Sequence, residues 1–139
     1  MARIIALDYG SKRTGIAVTD PTKTIATALD TVSTHLLIEY LRNYFEKESV
    51  ESIVVGDPRR LNNEASTTTH LTNQFVNRLK KTFPSMPVYR YDERFTSLMA
   101  TRSLLESGQS KIVRRDKALI DRVSATIILQ NYLSSIQPL

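Results

Sequence analysis

The sequence predicts an α/β fold in which helices cover a central sheet. Two continuous apolar runs, residues 4–7 and 53–55, have the length and composition of strands that are buried on both faces. Other stretches place apolar residues at helical spacing. Three strands followed by helices that alternate with strands are typical of an α/β sandwich. Because crossover connections within one sheet are right-handed, we expect the later strands to run parallel to the first.

Five segments carry strand patterns. Continuous apolar runs predict central strands. Alternation of apolar and polar residues predicts strands in which one face is covered less than the other. The first three segments follow one another through short turns, so that residues 3–32 predict a meander. The last segment, PVYRYD, predicts a half-exposed edge strand. In order, the five segments are residues 4–7, 14–20, 25–32, 53–55 and 87–92.

Four segments carry helix patterns. In the clearest one, Leu71, Phe75, Leu79 and Phe83 recur at intervals of four after a start rich in serine and threonine. Another begins near Thr96, a good cap residue, and stops near a glycine. The predicted helices cover about residues 34–47, 71–83, 96–108 and 116–134.

Composition limits the class of protein. The 139 residues, 41% of them hydrophobic, are enough for one compact domain, and we expect residues 1–139 to form it. Cysteine is absent, which excludes disulfides and thiolate metal sites and agrees with a reducing compartment. No stretch approaches the ~18 apolar residues of a membrane span, and no secretory leader is visible. We therefore expect a cytoplasmic protein with no membrane partner.

The charge balance favours a polyanionic partner. The net charge is +5, which suits nucleic acid but also occurs in many ordinary soluble proteins. Two clusters concentrate this charge, and each has the alternative interpretation of a solvated loop. They are Arg59 with Arg60, and Lys111, Arg114 and Arg115 with Lys117.

Acidic side chains follow two predicted parallel strands where each strand ends. Asp8 ends the first strand and Glu93 follows the fifth. In such sheets a site lies beyond the carboxyl ends of the strands, so both acids are expected there. Gly56 ends the strand predicted between them and would leave the space between the two side chains open.

A third acid lies on the last predicted helix. Asp121 shares one stripe of that helix with Ala125, Ile128 and Tyr132. A carboxylate beside apolar neighbours must be paired, capped or bound to a metal ion. Three carboxylates suit Mg²⁺ or Mn²⁺, and two such ions ~3.5–4 Å apart can hold the attacking water and the leaving oxygen of a phosphodiester.

Each acid also has a structural alternative. Asp8 could be a turn former before Tyr9 and Gly10. Glu93 could pair with the neighbouring Arg94, and Asp121 with Lys117 one turn earlier on the helix.

Three motifs together resemble those of the YqgF family, bacterial proteins of the ribonuclease H-like superfamily described as pre-16S rRNA nucleases and Holliday junction resolvase-like proteins. LDYGSKRTGIAVTD resembles the first-strand motif of that family, YDERFTS its Asp-Glu-Arg motif, and IDRVSATIILQNYL its acidic helix. The match runs from about residue 4 to 133. One departure lies in GDPRRLNNEAS (56–66), where Asn63 and Glu64 stand in place of an expected glycine.

The resemblance implies a fold, a site and a substrate. The fold would be a five-stranded mixed sheet of order 3-2-1-4-5, with strand 2 antiparallel and helices on its faces. Asp8, Glu93 and Asp121 would be the catalytic, metal-binding acids of a two-metal site holding Mg²⁺ or Mn²⁺. The substrate would be the 5′ end of pre-16S rRNA, with ribosomal precursor particles as partners and the protein a monomer or homodimer.

Basic residues near these acids are candidates for binding nucleic acid. Some lie beside Asp8 or Glu93 in the sequence, and others follow Gly108 and could clamp the strand outside the site. The candidates are Lys12, Arg13, Arg94, Lys111, Arg114 and Arg115.

Three other functions stay open on sequence grounds. A Holliday junction resolvase would cut branched DNA as a symmetric dimer. DYGSKRTG also resembles the phosphate-binding hairpin of the actin and sugar-kinase ATPase fold, but that fold needs two such domains and this sequence supplies one. A non-catalytic RNA- or ribosome-binding module would keep the basic surface and bind without turnover.

Overall fold

Five strands form a single mixed sheet of order β3-β2-β1-β4-β5. The computed structural model describes residues 2–57, 67–92 and 117–136. Strand β2 runs antiparallel to both β1 and β3, whereas β4 runs parallel to β1 and β5 parallel to β4. This order and these directions confirm the predicted topology. The strands are β1 (Arg3–Asp8), β2 (Arg13–Thr19), β3 (Ala26–Ser33), β4 (Val50–Asp57) and β5 (Val88–Asp92).

Three helices are described. A 3₁₀ turn (Thr34–Leu36) leads into α1 (Leu37–Lys47), which is followed after β4 by α2 (Thr67–Thr82), and α3 (Lys117–Ile136) comes last. Helix α2 ends one residue before Phe83, because Pro84 follows and disfavours helical backbone at the residue before it. The helix predicted over 96–108 lies outside the described residues.

One face of the sheet packs against α1 and α2. Ile5 and Leu7 of β1 and Ile16 of β2 are fully buried in this layer. Large side chains of the two helices cover them, namely Leu37, Ile38 and Leu41 of α1 and Phe75, Val76 and Leu79 of α2. The tyrosine that follows β1 also belongs here, since the rings of Tyr9 and Phe75 stack with centroids 4.6 Å apart.

The other face packs against α3. Ile4, Ala6, Ala17 and Val54 point to this side, because side chains alternate between the faces along each strand. Buried residues of α3 cover them, namely Ala125, Ile128, Leu129 and Leu133. Both faces of β1 and β4 are therefore covered, which explains why their sequences are continuous apolar runs.

Within the described segments, no helix combines the length and the apolar character needed to cross a bilayer.

Candidate active site

Asp8 lies at the carboxyl end of β1 and on the α3 side of the sheet. It shares that side with Ile4 and Ala6, two and four residues earlier in the strand. Its partner in the antiparallel register is Gly15 of β2. On the other side, Gly56 comes one residue after the pair formed by Leu7 and Val55. Both strand neighbours of Asp8 are thus glycines, which place no side chain beside its carboxylate.

Gly15 is the point at which α3 touches the sheet. A Cβ atom built at Gly15 would lie 2.0 Å from the carbonyl oxygen of Asp121 and 2.3 Å from its carbonyl carbon. Real Cβ atoms do not approach backbone atoms so closely, so any side chain at this position would push α3 away. Because Gly15 also faces Asp8 across the ladder, one glycine positions Asp8 and Asp121 relative to each other.

Thr31 fixes the first turn of α3. It is the partner of Gly15 on the β3 side. Its hydroxyl donates a hydrogen bond of 2.6 Å to the carbonyl oxygen of Ala118, and it accepts a longer one of 3.4 Å from Nη1 of Arg122. These contacts hold the residues on both sides of Asp121. Sequence reasoning did not identify Thr31, although a polar residue inside a strand is a weak signal of such a role.

Asp121 forms an ion pair with Arg13. The Nε atom of Arg13 donates to Oδ2 of Asp121, across 108 positions of sequence. The side chains of Arg13 and Asp121 are 39% and 20% exposed, respectively. Asp121 thus has a basic partner on β2, whereas its local sequence suggested Lys117 of the same helix.

The turn between β1 and β2 is held in a fixed shape by Thr34. The amide of Thr34 donates a hydrogen bond of 3.0 Å to the carbonyl oxygen of Lys12. The hydroxyl of Thr34 donates a hydrogen bond of 2.6 Å to the carbonyl oxygen of Gly10. The hydroxyl of Thr14, which is fully buried, lies 3.0 Å from that of Thr34. The turn also requires its glycine, because a Cβ at Gly10 would lie 2.5 Å from the carbonyl oxygen of Arg13.

A cleft of about 280 Å³ joins this turn to α3. It brings together three of the predicted site residues, Lys12, Arg13 and Asp121, whereas Asp8 lies outside its lining. The full lining is Gly10, Ser11, Lys12, Arg13 and Asp121. The remaining predicted site residues, Glu93, Arg94, Lys111, Arg114 and Arg115, lie outside the described residues.

The donor set fits a hard divalent cation. Asp8 and Asp121 offer carboxylate oxygens, the ligands that Mg²⁺ and Mn²⁺ prefer. Within residues 2–57, 67–92 and 117–136, no group of three or more His, Cys, Asp or Glu side chains converges. Two carboxylates leave several coordination positions for water and substrate, and the contribution of Glu93 stays a prediction.

Three tyrosines form an aromatic surface on the same side of the sheet. The rings of Tyr89 and Tyr132 stack with centroids 6.2 Å apart, and Tyr91 meets Tyr132 edge to face at 6.3 Å. Burial raises the pKa of Tyr132 above its usual value. Tyr89 is 47% exposed on the edge strand, as its alternating sequence predicts.

Similar sequences cover almost the whole chain. A protein of Flavobacterium johnsoniae is 52% identical over 97% of this chain and 98% of its own length. A protein of Porphyromonas gingivalis is 54% identical over the same shares of the two chains. Both carry the provisional name pre-16S rRNA nuclease.

A solved structure shares the fold at much lower sequence identity. T. thermophilus RuvC, solved in complex with a Holliday junction substrate, superposes with a TM-score of 0.54. The match covers 96% of this chain and 94% of that one at 15% identity, so it concerns the ribonuclease H-like fold alone. Residues 2–135 match the RuvX family, described as Holliday junction resolvase. The chain therefore belongs to the RuvX family, which confirms the resemblance drawn from its three motifs.

Proposed function

We propose that this protein is a metal-dependent endonuclease that processes the 5′ end of pre-16S rRNA. The observation that carries the proposal is the placement of Asp8 and Asp121 around Gly15, next to the basic turn of Lys12 and Arg13. Carboxylates that hold cations and basic groups that hold phosphates are the two components of phosphodiester hydrolysis. Membership of a nuclease family supports the same reaction.

The acids and the basic residues have separate roles in this proposal. Asp8, Asp121 and Glu93 hold Mg²⁺ or Mn²⁺ in a two-metal site. When bound, these cations supply an activated water and neutralise the charge on the leaving oxygen. The chain itself positions the phosphate through Lys12 and Arg13 of the turn that Thr34 fixes. Further contacts to the strand are assigned to Arg94, Lys111, Arg114 and Arg115.

Two substrates fit this chemistry, and rRNA is favoured first. The relatives that match nearly the whole chain at 52% and 54% identity carry a pre-rRNA nuclease name. The family description favours the second candidate, cleavage of Holliday junctions, which calls for a symmetric dimer. In the first case residues 1–139 act as one domain, as a monomer or homodimer, on ribosomal precursor particles in the cytoplasm.

The test is cleavage of two substrates by matched variants. A 5′-extended 16S rRNA precursor and a four-way DNA junction are incubated with Mg²⁺, Mn²⁺ or EDTA. We expect metal-dependent RNA cutting by the wild type and a loss of at least about 100-fold in Asp8→Asn. Glu46→Gln is the control, because it removes one carboxylate charge at an exposed position of α1, away from the candidate site.

Each outcome assigns a function. Unchanged cutting by Asp8→Asn would contradict the nuclease site. Paired cuts in the junction, with the RNA left intact, would establish the resolvase as the function instead. Salt-sensitive binding of RNA without cutting, on free RNA and on purified precursor particles alike, would identify a non-catalytic binding module.

A further inference from the structure

We propose that Arg13 is an exchangeable counter-ion of the metal site. In this inference, which rests on the proposed function, Arg13 holds Asp121 while no cation is bound. It leaves Asp121 when a divalent cation takes that carboxylate, and it then binds a phosphate of the nucleic acid. Metal binding and nucleic-acid binding thereby strengthen each other through one side chain.

The contact occupies one of the two oxygens through which Asp121 would bind a cation. Arg13 donates its Nε hydrogen to Oδ2 of Asp121, so the guanidinium covers part of the carboxylate. A cation that coordinates this carboxylate at close range brings a second positive charge into the same cleft. Two like charges in a space of about 280 Å³ repel each other, and the arginine, which is not a ligand, is the one that moves.

The side chain of Arg13 can move while its backbone stays in place. Its carbonyl oxygen packs against Gly10 within the turn, and its Cα pairs with Ser33 across the ladder. The side chain, by contrast, is 39% exposed and lines an open cleft. Release of Asp121 therefore needs side-chain rotation and no rearrangement of the strand.

The released guanidinium would lie close to where the substrate must be. Arg13 and Lys12 line the same cleft as Asp121. A guanidinium binds phosphate through two parallel hydrogen bonds, a geometry that its single contact with Asp121 does not use. A phosphate near the site thus competes with Asp121 for Arg13 and removes the guanidinium from the carboxylate that binds the cation.

The experiment measures Mn²⁺ affinity in the absence of catalysis. Electron paramagnetic resonance of unbound Mn²⁺ gives the affinity with and without a 2′-O-methyl RNA 12-mer that cannot be cleaved. For the wild type we expect the RNA to tighten Mn²⁺ binding about tenfold. Arg13→Gln should bind Mn²⁺ about tenfold more tightly than the wild type without RNA, and it should lose most of the RNA effect.

Lys12→Gln is the matched control for charge. It removes the same single charge from the same turn, but Lys12 forms no ion pair within the described part of the chain. Because Lys12 lines the same cleft, we expect its loss to tighten Mn²⁺ binding without RNA as well, but by clearly less than Arg13→Gln, since Arg13 contacts the carboxylate directly. Equal Mn²⁺ affinities of Arg13→Gln and Lys12→Gln without RNA would overturn the exchange.

A second measurement needs no substitution. In the wild type, the Nε–H signal of Arg13 in a ¹⁵N spectrum should shift during a Mg²⁺ titration with the midpoint of Mg²⁺ binding. A signal that stays unchanged at saturation would overturn the inference even if Arg13→Gln failed to fold. Mn²⁺ binding that survives in Asp8→Asn would contradict the proposed function itself. If Asp8→Asn loses Mn²⁺ binding and Arg13→Gln binds Mn²⁺ with the affinity of the wild type, only the exchange is contradicted.

Discussion

The two faces of the sheet are packed with side chains of different size. On the face covered by α1 and α2, large residues such as Ile5, Leu7 and Ile16 meet leucines and a phenylalanine of the helices. On the α3 face, two alanines and Gly15 lie beside Ile4 and Val54, and at Gly15 the helix backbone approaches within contact distance. Both faces bury apolar side chains, and the second also places a carboxylate close to the sheet.

The difference between the faces shows how a mostly apolar helix, α3, can hold the carboxylate of Asp121 at a fixed position beside the sheet. Asp121 owes its position to backbone contact at Gly15 and to the hydrogen bonds of Thr31 with the first turn of α3. Larger side chains between α3 and the sheet would increase the distance between Asp121 and β2. We therefore expect substitutions on the two faces to separate stability from function.

The largest expected effect is that of Gly15→Val. The new side chain would collide with the backbone of α3, and we expect a loss of about 3 kcal/mol or more in the free energy of unfolding. Urea unfolding followed by circular dichroism measures this loss, and Mn²⁺ affinity reports the site. Ile16→Val, one residue away on the other face, should cost only about 1 kcal/mol and keep Mn²⁺ binding. Equal effects of the two changes would show that the faces are not distinct.

A cavity on the opposite face should reduce stability without changing the site. Leu41 of α1 is fully buried, so Leu41→Ala should lower the free energy of unfolding by about 2–5 kcal/mol. Below its unfolding transition, the variant should bind Mn²⁺ with the affinity of the wild type, because Leu41 does not pack on α3. A weaker affinity in the folded variant would mean that the α1 side also positions the acids.

Removal of the Thr31 hydroxyl tests the packing of α3 on the sheet with a smaller change. Thr31→Val keeps the shape of the side chain but removes the hydrogen bonds to Ala118 and Arg122. We expect a loss of about 1 kcal/mol in stability, together with faster amide exchange in the first turns of α3. Thr27→Val, at an exposed position of the same strand, is the control and should leave both quantities nearly unchanged. Exchange rates that match the wild type in Thr31→Val would exclude an anchoring role.

The smallest expected effect is a pH dependence of the free energy of unfolding, which arises from Tyr40 of α1. Burial, followed by the charge of Asp30, raises the pKa of Tyr40 to about 12. An unfolded tyrosine has a pKa of about 10, so the stabilising contribution is complete below pH 10 and is lost as the pH rises toward 12. Unfolding measured between pH 9 and pH 12 should show this decline, and Tyr40→Phe should reduce its slope. An identical slope in both proteins would assign the decline to other groups.

The sequence allowed prediction of those parts of the site that depend on local pattern. An apolar run that ends in an acid predicted Asp8 at the end of β1, and the stripe shared with Ala125 and Ile128 predicted that Asp121 lies against the sheet; the structure has both residues at these positions. The strand order followed from the resemblance, and the structure confirms it.

The contacts that refine the site depend on distant parts of the chain. Arg13, a partner of Asp121, is 108 positions away, and their contact depends on how α3 is rotated and how closely it approaches β2. Local sequence suggested Lys117 because a residue one helical turn away is the nearest candidate by spacing. Similarly, Gly15 was visible as a glycine, but nothing nearby in the sequence indicates which backbone passes over it.

The separation between Arg13 and Asp121 also has a consequence for biosynthesis. Translation is vectorial, and the hairpin that carries Asp8 and Arg13 emerges from the ribosome long before the helix that must dock on Gly15. Contacts between residues so far apart in sequence form late, since a long loop must close first. A nascent chain of this protein thus lacks half of its described acid pair until α3 has been synthesised and docked.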